Sequence, residues 1–244
     1  MRKTLLALLL CSPLFARATE FPAPIGENTA RTYPYAMIGQ VLFNSGGPYI
    51  ATGTVINPRS VLTAAHALYD RREGWSTNVR FRRSTYGSTY LEQRSARRLF
   101  VLARYQELAD SQGTASPAAF SKDLGGVKCR STFSGGSTAR WSVDTTLLTG
   151  SAYNIALGYG AVTHSGDKLL YVEPTEGFYQ SYKAFYENDS IFIEAGMSGG
   201  PLFAELNNEL FVAAVIVSGS EQPYSGGVRV INGAADRFIR DYLP

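Results

Sequence analysis

The hexapeptide Gly196-Met197-Ser198-Gly199-Gly200-Pro201 limits this chain more than any other feature, and it contains the only G-x-S-x-G in the sequence. Small residues on both sides let the backbone turn tightly, let a reactant approach the hydroxyl, and free backbone N–H groups to converge on one point. A serine hydroxyl is a poor nucleophile alone and needs a base within hydrogen-bond reach. The chain has two histidines, His66 and His164, and both precede Ser198. The nucleophile elbow of an α/β-hydrolase takes its histidine from after the serine, so that fold is excluded by counting. The order that remains is histidine, aspartate, serine.

His66 ends an apolar run followed by small residues, SVLTAAHA over 60–67, which leaves an imidazole accessible. His164 lies between Gly160 and Gly166 and reads as a surface-loop residue. The aspartate must lie between His66 and Ser198, where the candidates are Asp70, Asp110, Asp123, Asp144, Asp167 and Asp189. Asp123 leads because it heads DLGGV, where a polar loop gives way to a strand-like run; a carboxylate there can reach an imidazole while its neighbours enter the core. Asp70, four residues from His66, reads as a turn cap.

The rest of the chain reads as β structure. Short apolar or alternating runs recur at 37–43, 49–56, 99–102, 154–157, 169–172, 191–193, 202–203 and 210–217. Gly, Pro, Asn and Ser separate many of them, as in sandwiches and barrels. Asn207-Asn208 suits a hairpin turn. Ser131–Ser137 (STFSGGS) reads as a linker near the middle of the chain. Residues 234–243 differ: Phe238, Ile239 and Tyr242 recur on one helical face, which predicts a C-terminal helix.

Arg2 and Lys3, the apolar run 5–10 and Ala16-Arg17-Ala18 form a secretory signal peptide, too short to span a membrane. Cleavage near Ala18 removes three of the 23 basic residues and none of the 20 acidic ones, leaving 20 of each. It also removes Cys11, so Cys129 is the only thiol of the mature chain and is expected to pack as a small buried hydrophobe. The balanced charge hides an asymmetry. Arg71–Arg104 holds nine arginines against Glu73 and Glu92. A solvated basic strand face is the plainer explanation and an anionic surface partner the sharper one. Too few repeated aromatics interleave these arginines to suggest a nucleic-acid platform.

Three blocks now resemble the trypsin/chymotrypsin-like serine endopeptidases: residues 53–67 (GTVINPRSVLTAAHA) around His66, DLGGV at Asp123, and GMSGGPLF at Ser198. Gly158-Tyr159-Gly160 and VIVSG at 215–219 add to the likeness, which spans about residues 32–243. YPYA at 33–36, LYD at 68–70 and GVRV at 227–230 are similar to the secreted bacterial branch that includes glutamyl endopeptidases. The resemblance implies an all-β fold of two packed six-stranded β-barrels with a C-terminal α-helix. Its expected divisions are a signal peptide at 1–18, an N-terminal segment or propeptide at 19–31 and a barrel with His66 and Asp123 at 32–130. A linker at 131–138, a barrel with Ser198 at 139–233 and the helix at 234–244 complete it.

The resemblance further implies peptide-bond hydrolysis by a Ser198–His66–Asp123 triad through an acyl-enzyme, with the N–H groups of Gly196 and Ser198 as oxyanion hole. Phe192, Val217, Ser218 and Gly219 would contact substrate, Ser218 also touching the triad aspartate. No cofactor or metal is expected. The expected partners are protein or peptide substrates, with no nucleic acid and no membrane span, for a secreted monomer. Met197 replaces an aspartate that pairs with a new N-terminus in vertebrate-type relatives, so that activation switch is absent. Phe192 stands where trypsin-like relatives carry a carboxylate, and no histidine occurs in VIVS at 215–218, so neither a basic nor a glutamate preference is supported; an apolar or small residue before the scissile bond is expected. Asp189 and Glu194 read as solvated loop charges. An inactive binding module on the same fold and an esterase using the same triad are the alternatives.

Overall fold

The computed structural model describes residues 19–135, 137–150, 152–221 and 224–244; the expected leader, with Cys11, lies outside these residues. Six antiparallel strands close into the first barrel: Ile38–Asn44, Pro48–Asn57, Ser60–Thr63, Thr77–Arg83, Glu92–Val101 and Gly125–Cys129. Alternation decides which side chains enter it. Along Thr77–Arg83, Val79 and Phe81 are buried while Arg80 between them is exposed. Cys129 is a free, fully buried thiol whose pKa burial pushes up to about 12, so it packs as a small hydrophobe.

The second half is also antiparallel, but it is an eight-stranded sheet, where the resemblance implied six strands closed into a barrel. Its order is Ala23–Pro24, Leu170–Val172, Asn154–Gly158, Pro201–Leu206, Glu209–Glu221, Tyr224–Val230, Phe185–Asn188 and Tyr179–Tyr182. One edge strand, Ala23–Pro24, comes from the N-terminal segment, and Pro24 there has no N–H with which to extend the ladder. Just before it, Glu20 N–H donates to the Ser190 carbonyl at 2.7 Å, and Phe192 N–H donates to the Glu20 carbonyl at 2.9 Å. The run 191–193, expected as a strand, therefore amounts to one isolated bridge between Glu20 and Ile191. Asn207 and Asn208 adopt φ of 55° and 62° and join paired Leu206 and Glu209, a two-residue hairpin as expected.

The halves share a core. Val55, Val61 and Val127 from the barrel pack in one cluster with Ile155, Leu157, Phe203 and Val215. The C-terminal helix, Gly233–Tyr242, starts at Asn232, whose side chain accepts from the N–H groups of Ala234 and Ala235. It lies back on the first barrel: Tyr242 meets Phe100 with ring centroids 5.4 Å apart, and the Leu243 carbonyl accepts from Asn57 Nδ2 at 2.5 Å.

Candidate active site

Strand register brings His66 to Asp123. Thr63 pairs with Gly125 in the antiparallel ladder, so residues just after Thr63 lie beside residues just before Gly125. His66 occupies a 3₁₀ turn, Ala65–Ala67, and Asp123 leads into Gly125–Cys129. Gly125 permits the approach, because a Cβ there would stand 2.9 Å from the Ala64 carbonyl oxygen. The Asp123 carboxylate is fully buried and accepts twice from His66: from the backbone N–H at Oδ1 (2.9 Å) and from ring Nδ1 at Oδ2 (2.6 Å). Burial by itself lowers the imidazole pKa, but the charge of Asp123 and this hydrogen bond outweigh it and raise the pKa above 6.5. The bond also commits Nδ1 as the N–H, leaving Nε2 with its lone pair free.

Ser198 sits in a turn that only glycines can build. Gly196 and Gly199 have φ of 95° and 86°. A Cβ on Gly199 would stand 2.2 Å from both the Thr52 carbonyl oxygen and Thr63 Oγ1. Ser198 and Gly196 line the same cleft as His66, about 530 Å³ in volume, together with Phe43, Ser45 and Tyr49. Neither the Ser198 hydroxyl nor the His66 ring is hydrogen-bonded to the other in this structure. Met197, Gly199 and Gly200 donate their N–H groups to the carbonyls of Glu194, Ile216 and Met197. The N–H groups of Gly196 and Ser198 have no acceptor among the described residues, which leaves two unspent donors beside the hydroxyl.

Two residues hold this turn in roles the sequence did not suggest. Thr52, buried in the first barrel, donates its N–H to the Ser198 carbonyl (2.7 Å) and its Oγ1 to the Gly196 carbonyl (2.8 Å). The same Oγ1 accepts from Tyr159 N–H at 2.8 Å. With these two carbonyls tied back, the turn that carries the two free N–H groups is fixed from the neighbouring half. Glu194, expected as a solvated charge, is buried instead. Its carboxylate accepts from the N–H groups of Val162 (2.9 Å) and Thr163 (2.7 Å), from Thr163 Oγ1, and lies 3.3 Å from His164 Nδ1. Burial alone would raise its pKa; the backbone and hydroxyl donors of Thr163, then His164 and Val162, hold it below the ordinary value. Neither role shows locally in the sequence, since each depends on a partner segment about 30 to 150 positions away.

The other expected residues fall elsewhere. Asp70 caps a turn, accepting from Arg72 N–H (2.7 Å) and Glu73 N–H (3.2 Å). Asp110 accepts from the Tyr69 hydroxyl, Asp144 from Thr146, and Asp189, which is exposed, from the Tyr179 hydroxyl. Ser218 makes no hydrogen bond with Asp123. A bulge between Ile216 and Ser218 re-aims it, so that its Oγ lies 2.1 Å from where a Cβ on Gly227 would stand. Phe192 is buried against Phe21 and Tyr224, with ring centroids 5.7 and 5.5 Å away. A Cβ on Gly219 would meet the Ile193 carbonyl oxygen at 2.1 Å, so the segments around 193 and 219 touch. Arg229 is a buried guanidinium whose pKa burial lowers to about 10, an effect the charge of Asp123 opposes.

This geometry has parallels. A sequence profile of the trypsin family matches residues 24–234. A Bacillus subtilis (strain 168) protein named extracellular metalloprotease is 23% identical over 212 residues, which cover 84% of this chain and 63% of that protein. The chain thus spans less than two thirds of that relative's length. Among solved structures, a Glu endopeptidase in complex with MPD superposes with a TM-score of 0.70 at 19% identity, covering 90% of this chain and 95% of the other. Protease Anisep from Arthrobacter nicotinovorans gives 0.65 at 18% identity, covering 84% and 94%. The thermostable serine protease AL20 from an extremophilic microorganism gives 0.66 at 17% identity, covering 83% and 94%.

Proposed function

The chain belongs to the trypsin family, and from that membership we propose that it is an exported serine endopeptidase. Ser198 Oγ attacks the scissile carbonyl carbon while His66 Nε2 takes its proton. The protonated imidazole then passes that proton to the leaving amine as the C–N bond breaks, and an acyl-enzyme remains. Water, deprotonated by the same nitrogen, hydrolyses the ester and frees Ser198. Asp123 holds the Nδ1–H tautomer and stabilises the imidazolium. The N–H groups of Gly196 and Ser198 bind the oxyanion; losing one such donor typically costs about 2.7–4 kcal/mol of transition-state stabilisation. The observation that carries this is the 2.6 Å Asp123–His66 bond in a cleft shared with Ser198 and two unspent N–H donors.

The name of the Bacillus relative includes a metal. Here the imidazole and carboxylate are already bonded to each other, and among the described residues no group of three or more His, Cys, Asp or Glu could hold a metal ion. The residues present do not fit one. Export is supported by the composition of residues 1–18 and by the word extracellular in that relative's name.

A fluorophosphonate probe tests the mechanism. Wild-type protein should be labelled, while Ser198→Ala and His66→Ala should not; an unlabelled, inactive wild type would favour the binding-module alternative, and labelling without peptide cleavage the esterase. Gly219 packs against the Ile193 backbone, and Ile191 and Ile193 fill the space over Gly226; if this region receives the side chain before the scissile bond, it receives a small one. Glycine or alanine before the scissile bond is therefore favoured. A cleavage profile over matched peptides led by glutamate, arginine or phenylalanine would overturn that preference.

A further inference from the structure

Glu194 is a buried carboxylate that the mechanism above does not use. Between Glu194 and Ser198 it is the one ionisable side chain, and it is shut off from solvent four residues before the hydroxyl. A buried carboxylate is costly unless donors surround it. Among the described residues no lysine or arginine pairs with it. Its partners are the N–H groups of Val162 and Thr163, the Thr163 hydroxyl and the His164 ring, all from one loop.

The start of that loop is the abutment on which the nucleophile turn rests. A Cβ on Gly196 would stand 2.4 Å from the Tyr159 carbonyl oxygen and 3.1 Å from Ala161 N, so the backbone of 159–161 is pressed against Gly196. Ala161 N–H donates to the Ala195 carbonyl at 2.8 Å. The carboxylate itself fits because residue 160 is glycine: a Cβ there would stand 2.3 Å from Glu194 Cδ and Oε1. The far end of the loop is fixed as well, since the Gly166 carbonyl accepts from Gln40 Nε2 at 2.6 Å and Gly166 N–H donates to the Gly160 carbonyl at 2.7 Å.

These bonds close a ring. It runs from the Glu194 side chain to Val162 and Thr163, along the loop to Ala161, across to Ala195 and back to Glu194. Gly196, next in the chain, carries one of the two N–H groups without an acceptor. We propose that Glu194 is a positioning residue whose carboxylate, by closing this ring, aims the Gly196 N–H at the oxyanion. The assignment rests on the endopeptidase reading above. Glu194 makes no hydrogen bond with His66 or with the Ser198 hydroxyl, so it acts on the oxyanion donors and leaves the base alone.

Three variants test it. Glu194→Ala opens the ring. Gly160→Ala drives a methyl group into the carboxylate from the loop side, and it carries the same readings if Glu194→Ala fails to fold. Each should lower kcat by about 10- to 100-fold with KM little changed, because a misaimed donor is felt only as the oxyanion forms. Glu194→Gln keeps an oxygen for the two N–H groups and should stay within about fivefold of wild type. Affinity for a peptide trifluoromethyl ketone, whose adduct with Ser198 carries an oxyanion, should fall in step with kcat. Binding of a cleavable peptide to Ser198→Ala protein should be the same with and without Glu194→Ala, and the midpoint of the pH–rate profile should stay where it is in wild type. Wild-type kcat in Glu194→Ala, peptide binding lost in step with kcat, or glutamine no better than alanine would overturn the proposal. A wild type that takes no fluorophosphonate would count against the hydrolase reading, and amide hydrogen exchange then decides the role of Glu194 by itself. In Glu194→Ala the amides of Ala161, Met197 and Gly199 should exchange faster while those of Gly125–Cys129 stay protected. Faster exchange confined to 162–164 would mark a loop tether only and overturn the assignment.

Discussion

The pair His66–Asp123 and the turn around Ser198 are held by different means. The pair is a product of strand register: Thr63 opposite Gly125 leaves the imidazole and the carboxylate side by side within one barrel. The turn has no ladder of its own at Ser198. Its shape depends on Thr52 reaching across from the other half and on Glu194 tying down the loop at 162–164. Regular pairing positions the proposed base with no separate brace, because the ladder is made anyway. The proposed nucleophile needs N–H groups left unpaired, so its backbone must leave the sheet and be braced from outside.

Substitutions can break this contrast. Asp123→Asn should have the largest effect on rate, lowering kcat about 10⁴-fold, because it favours the wrong imidazole tautomer. Its melting temperature should shift little, since asparagine still offers an acceptor to His66 N–H. Thr52→Val should do the reverse. It leaves the Gly196 carbonyl and the buried Tyr159 N–H without partners, an expected cost of about 1–3 kcal/mol. It should lower kcat by about 10- to 100-fold through misplacement of the turn. Melting curves and steady-state kinetics on both variants decide it, and equal melting shifts would remove the distinction.

A smaller effect sharpens it. Folding raises the His66 pKa, so the protonated pair adds stability below about pH 6.5, and that increment fades as pH climbs through the folded value. The base must be neutral, so kcat/KM should rise with pH through that same pKa, above 6.5. In Asp123→Asn the midpoint should move down, and in Thr52→Val it should stay. A pH–rate profile of the three proteins reads this directly, and a Thr52→Val midpoint that moves with Asp123→Asn would show the two regions to be one electrostatic unit.

Much of this was legible because it is local. Glycines framing Ser198 are adjacent in sequence, the histidine count fixed the chain order, and the spacing of Phe238 and Ile239 announced the C-terminal helix seen at Gly233–Tyr242. The hairpin at Asn207-Asn208 needed only two residues that tolerate positive φ. Asp123 stood out among six aspartates by its place at the mouth of a strand, and the register supplied the rest.

Other features were invisible for one reason. Whether a charge is paired, buried or free depends on what folding brings beside it. Glu194 and Glu92 look alike in the sequence as lone acidic residues; one became a clamp on the loop beside the nucleophile turn and the other absorbed two arginines. Composition and spacing thus determined the fold class and the chemistry available to Ser198, His66 and Asp123. Tertiary structure alone decided which polar groups were spent on each other and which stayed free, because that outcome is set by pairings between segments tens to more than a hundred residues apart.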